Sequence, residues 1–168
     1  GNGIQFTNRE TVRGAAWALR SIFQAAAISV DGSSVQTAFA ALAASNVQSY
    51  HANYIVSRCG SFGVPRPYSN FQPAATPPRY NVNAWELDFW VAAWGYGVRL
   101  GIPFANARQA ELEGFFQWTA QWIVGRLGPL GDASSYGYNA AGRNNSVSIA
   151  NSSTDAPWVN NQGPWMSN

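Results

Sequence analysis

Two carboxylates stand among aromatic residues at Glu86 and Asp88, inside the run AWELDFWVAAWGYGVRLG over residues 84–101. Paired carboxyl groups are the machinery of glycoside hydrolysis, one as general acid and the other as base or nucleophile. Residues two apart on a helix do not face each other, so these two cannot flank one bond as a simple pair. A further acid such as Asp132 or Glu10 would have to complete the set. The plainer alternative is that both acids occupy the first turn of a helix, stabilised by its dipole and by arginine.

A second group carries binding chemistry. Arg13, Trp17 and Arg20 recur at i, i+4 and i+7 and share one helix face. A guanidinium over an indole is a cation–π pair, and a row of them suits an acidic sugar as well as it suits a structural stack. Flat aromatic rings also match the apolar face of a pyranose. Most helical tryptophans are expected in the core, since aromatic residues dominate core packing. The candidates for ligand contact are therefore Trp85, Arg13 and Trp17, with Tyr68, Tyr80, Trp158 and Trp165 in segments read as loops. His51 and Tyr54 lie within one turn and could act as base and acid in polysaccharide elimination, although a lone helical histidine is usually structural. With one His and one Cys (Cys59) there is no internal disulfide, and a zinc site is disfavoured. No phosphate loop, nucleotide fingerprint or hydrolase elbow occurs, so no cofactor is expected. Asn144-Asn-Ser and Asn151-Ser-Ser match glycosylation sequons but carry little weight here.

Composition narrows the classes. A chain of 168 residues is one domain's worth, with 46% hydrophobic and 14% aromatic residues to bury. Charged residues make up 11%, against roughly 25% in ordinary globular domains. So uncharged a surface suggests that something else covers part of it. A net charge of +2 without a basic run disfavours nucleic acid, and no stretch is long and apolar enough to span a bilayer. All ten basic residues are Arg, which stacks on Trp and forks onto carboxylates as Lys cannot. The start Gly-Asn-Gly, without Met, reads as a piece of a longer parent.

These residues are held by four expected helices, at about 8–29, 34–58, 84–101 and 106–125. The first opens on the capping-box spacing Thr7-x-x-Glu10 and repeats Val12, Ala15, Ala16, Leu19, Ile22, Phe23 and Ala26 at threes and fours. Asp31-Gly32-Ser33-Ser34 is a turn that offers an N-cap to the second. In the third, Trp85, Phe89, Ala92 and Tyr96 make one stripe while Leu87, Trp90, Val91, Trp94 and Val98 fill the rest. A helix without a polar side belongs in the middle of a structure. Gly101-Ile102-Pro103 ends it, and Asn106 with Gln109 caps the fourth. Five prolines exclude helix from a loop over 60–83. A Gly/Ser/Asn-rich tail over 128–168 is expected as irregular chain packed on the 1–127 helical domain.

Three stretches carry a resemblance: Arg9-Glu-Thr-Val-Arg13-Gly-Ala-Ala-Trp17-Ala-Leu-Arg20, Ala84-Trp85-Glu-Leu-Asp88-Phe89, and Phe116-Gln-Trp118 through Val124-Gly125-Arg126. Together they resemble a segment of large bacterial and phage-encoded proteins built from α/α-hairpins, similar to the (α/α) toroids of many glycoside hydrolases and polysaccharide lyases. The resemblance spans roughly residues 3 to 127. It implies an all-α fold of two long antiparallel helical hairpins from such a toroid, the third helix lying on the inside of the ring. It also places Trp85, Glu86 and Asp88 near a cleft at one end, with loop 60–83 close by. No catalytic set carries over with it, because fold likeness does not determine chemistry.

The expectation is a glycan-related module, binding a carbohydrate or walling an active site, within a larger extracellular or phage-borne protein. The alternative is a structural or assembly domain, such as a virion component, without catalysis. If the chain is enzymatic, it is a glycoside hydrolase or polysaccharide lyase. Expected partners are a glycan and either the remainder of a parent chain or a second copy of this one.

Overall fold

The computed structural model describes residues 12–56, 63, 70–72, 79–127, 146–150 and 165–166. Within them the chain is mainly helical, as expected. The helices are α1 (Val12–Ile28), α2 (Ser34–Tyr50), α3 (Ala84–Arg99) and α4 (Asn106–Leu127), and α2 runs on as a π-helical stretch, His51–Val56. The Thr7–Glu10 cap expected for α1 lies outside the described residues.

Local chemistry sets the helix ends. Ser33 Oγ accepts the Gln36 backbone N–H at 3.1 Å and caps α2. The Gln36 side chain braces the same turn, accepting from Gly32 N and donating to Asp31 Oδ1. Helix α3 ends at Arg99, and just beyond it Gly101 has a φ of +62°, which favours a residue without Cβ. The cap of α4 falls one residue earlier than the sequence suggests. Ala105 O accepts from the backbone N–H of Arg108 and Gln109, and the Gln109 side chain donates forward to Glu113 instead of back. An ion pair between Arg108 and Glu111 adds to this first turn.

Side-chain pairs give the packing directions. Phe23 meets Trp94 edge-on at 5.7 Å, and Trp17 meets Phe89 at 5.0 Å, so α1 and α3 lie side by side and point the same way. Tyr50 packs on Phe115 and Tyr54 on Trp118, which sets the end of α2 and its π-helical extension parallel to α4. Trp94 packs on Phe115 while Trp122 reaches Asp88, so α3 and α4 run in opposite directions. The helices thus form two layers, α1 beside α3 and α2 beside α4, with α1 also on α2 and α3 on α4.

Between the layers lies an aromatic core. Tyr50 meets both Trp90 and Trp94 edge-on at 5.2 Å, and Trp94 and Phe115 approach to 4.2 Å. Such pairs contribute about 0.5–1.5 kcal/mol each beyond their burial. Close approach of α1 to α3 depends on Gly97, where a Cβ would stand 2.7 Å from the Phe23 ring.

The loop over 60–83 and the tail over 128–168, read from the sequence as lacking regular elements, both contribute strands. These are β1 (Asn70–Gln72), β2 (Arg79–Asn83), β3 (Ser146–Ala150) and β4 (Trp165–Met166), in one antiparallel sheet of order β1-β2-β3-β4. Prolines exclude helix but leave extended backbone open. Tyr80 with Val82 and Val147 with Ile149 alternate with polar residues, the period of a strand. The register respects it, pairing Tyr80 with Ile149 and Val82 with Val147.

Candidate functional site

The third helix has an outward side after all, and it is the Trp85, Phe89, Ala92, Tyr96 stripe. Trp85 is 37% exposed and Tyr96 48%, and Ala92 and Arg99 are exposed as well. The opposite side, Leu87, Trp90, Val91, Ala93 and Trp94, is buried. The expectation of a helix surrounded on all sides is corrected accordingly. Apolar composition all round hid a face that is aromatic and exposed instead of polar.

Helix α1 lays its own row beside that stripe. The Arg13 guanidinium carbon lies 5.3 Å from the Trp85 ring centroid. Two turns on, Arg20 stands 4.4 Å over Trp17 and 5.8 Å over Phe89, and Trp17 itself packs on Phe89. Parallel α1 and α3 produce this ladder. Positions 13 and 17 on one helix match 85 and 89 on the other, each pair four residues apart. Trp17 is 47% exposed, so its ring remains open to solvent in part. Neither Arg13 nor Arg20 has an ion-pair partner among the described residues. The Nε of Arg20 is buried and makes no hydrogen bond.

The two acids are elsewhere. Asp88 Oδ1 accepts the indole N–H of the fully buried Trp122 at 2.9 Å, tying α3 to α4. Glu86 is buried in the first turn of α3. Asp88 is therefore engaged by the α4 core, and neither acid is part of the exposed Arg–aromatic ladder.

Of the other sequence candidates, Tyr54 is buried between Tyr50 and Trp118, and His51 lies against α4, 3.8 Å from where a Gly114 Cβ would be. Tyr80 and Trp165 fall on β2 and β4, each paired in register with Ile149 of β3. Phe71 of β1 extends that register row across the sheet. Tyr68, Cys59, Trp158, Glu10 and Asp132 lie outside the described residues. Among the described residues no group of His, Cys, Asp and Glu could hold a metal ion, and no helix is long and apolar enough to cross a membrane.

The structure thus brings together three of the expected ligand-binding residues, Arg13, Trp17 and Trp85. It adds Arg20 and Phe89 to them, with Tyr96 further along the stripe. Comparison with protein-family models, with curated proteins and with solved structures finds no match to this chain.

Proposed function

We propose that the chain is a carbohydrate-binding module whose ligand lies along the α1–α3 seam. The observation that carries this reading is the exposed ladder of Arg13 on Trp85 and Arg20 on Trp17 and Phe89. Partly exposed rings along the contact between two helices give a pyranose chain apolar surface to pack on. The guanidinium edges beside them supply hydrogen-bond donors in fixed orientation. Binding, not catalysis, is the role this face supports, because Glu86 is buried and Asp88 is held by Trp122. A glycan array read with the unmodified protein and with Trp17→Ala and Trp85→Ala tests it, circular dichroism serving as the check on folding. Loss of glycan signal in folded variants supports the reading; an unmodified protein that captures no glycan defeats it.

The same composition suits protein assembly, since Trp, Tyr and Arg are the residues that anchor protein interfaces. Two further observations favour that second reading. The helices pack as two parallel layers, the arrangement of neighbouring hairpins in an α/α toroid. Ile28, the last residue of α1, and Val30 just after it are 80% and 78% exposed. On this view the chain is a toroid segment whose sides pack on hairpins of a parent chain or on a second copy, as symmetric oligomers do. Light scattering coupled to size exclusion separates the cases: a dimer supports assembly, and a monomer at high micromolar concentration opposes it.

A further inference from the structure

We infer that the ligand of the α1–α3 seam is an anionic oligosaccharide, carrying carboxylate or sulfate groups on at least two of its sugar units. This rests on the carbohydrate reading above and goes beyond it by fixing the charge and the minimum length of the ligand.

The charge follows from how the arginines are held. A guanidinium stacked on a ring uses its flat face, leaving the N–H fork in its own plane free to meet an oxyanion. The guanidinium carbon of Arg20 stands 4.4 Å from the Trp17 ring centroid, and that of Arg13 stands 5.3 Å from the Trp85 centroid. Neither has a carboxylate partner among the described residues. Glu86, the acid next in sequence to Trp85, is buried away from the exposed ladder, and Asp88 is held by Trp122. The seam thus joins two positive groups to a low-charge surface, and an anion beside them gains charge-assisted hydrogen bonds of the stronger kind.

The length follows from the helix. Arg13 and Arg20 are seven residues apart on one face, a rise of about 10 Å at 1.5 Å per residue. A single monosaccharide does not span that backbone separation, whereas a short chain reaches both guanidinium groups while its rings lie beside Trp85 and Trp17. Each arginine is then an independent contact for one anionic sugar.

The test is calorimetric titration of the folded full chain with oligogalacturonides from monomer to hexamer. Their neutral methyl esters and heparin-derived sulfated oligosaccharides are run in parallel, each at low and at physiological ionic strength. The expected result is no measurable affinity for the monomer and a rise on reaching a length that spans both arginines. Esterification should lower affinity about tenfold or more, and so should Arg13→Gln or Arg20→Gln, by loss of charge-assisted bonds. Arg20→Lys, which keeps the charge and loses the fork, should fall between the unmodified chain and Arg20→Gln. Preference for uronate over sulfate, or the reverse, identifies the source of the charge. Equal binding of acid and ester overturns the inference while leaving the carbohydrate reading intact. Absence of binding to every sugar overturns both. Binding of a polyglutamate peptide as tightly as of the acidic sugars overturns both in favour of a protein partner.

Discussion

The indole N–H of Trp122 donates to Asp88 across the α3–α4 seam at 2.9 Å, joining a fully buried ring to a half-buried carboxylate. This makes Asp88 a structural acceptor. Asp88→Ala leaves the indole donor unsatisfied in the interior and should cost about 1–3 kcal/mol. Asp88→Asn keeps an oxygen at the same place and should cost less. Urea denaturation of the two variants reads the difference. Equal stability of Asp88→Ala and the unmodified chain would show that the bond carries no weight in the fold.

Trp94 sits at the centre of the aromatic core, in contact with Phe23, Tyr50, Trp90 and Phe115, and fully buried. Trp94→Ala removes the largest kind of core side chain and should cost about 3–5 kcal/mol. Trp85→Ala, on the exposed stripe of the same helix, should leave thermal stability nearly unchanged. A thermal melt that lowers both midpoints alike would contradict the division of α3 into a buried and an open side.

Gly63 and Gly32 separate two costs of adding a methyl group. Both have left-handed backbone, with φ of +69° and +72°. A Cβ at Gly32 meets nothing within 4 Å, whereas at Gly63 it would stand 2.3 Å from the Trp118 carbonyl oxygen. Gly63 O also accepts from the buried Thr119 hydroxyl at 3.1 Å. Gly32→Ala should therefore cost only the backbone penalty of about 1–2 kcal/mol. Gly63→Ala should add the overpacking cost of about 1–3 kcal/mol. Chemical denaturation compares them, and equal losses would mean that Gly63 does not press on α4.

The helices were legible because their buried faces repeat at threes and fours. Val12, Ala15, Ala16, Leu19, Ile22, Phe23 and Ala26, read from spacing alone, are the residues that α1 buries. The turn at Asp31–Ser33 was legible for the same kind of reason, a hydroxyl at the right place to meet a free N–H. What periodicity could not supply is which side of α3 faces out, since Trp85 and Tyr96 are as apolar as Trp90 and Trp94. That is decided by partners far off in sequence: Phe23 against Gly97 on one side, Trp122 against Asp88 on another. The Arg–Trp face of α1 was legible as a row, but its rings on α3 came only with the parallel packing of the two helices. Proline content over 60–83 and Gly/Ser/Asn content over 128–168 mask the strand signals at Tyr80–Val82 and Val147–Ile149, which are short and pair across a long separation.

The central claim is that the α1–α3 seam is a binding face and the tryptophans of the interior are not. Indole N–H resonances report on both at once, because each tryptophan gives its own signal. Titrating the isotope-labelled chain with an acidic oligosaccharide of sufficient length, such as an oligogalacturonide, should shift the indole signals of Trp17 and Trp85 in a saturable way. Those of Trp90, Trp94 and Trp122 should stay in place. Shifts confined to the interior tryptophans, or none at saturating sugar, would contradict the account.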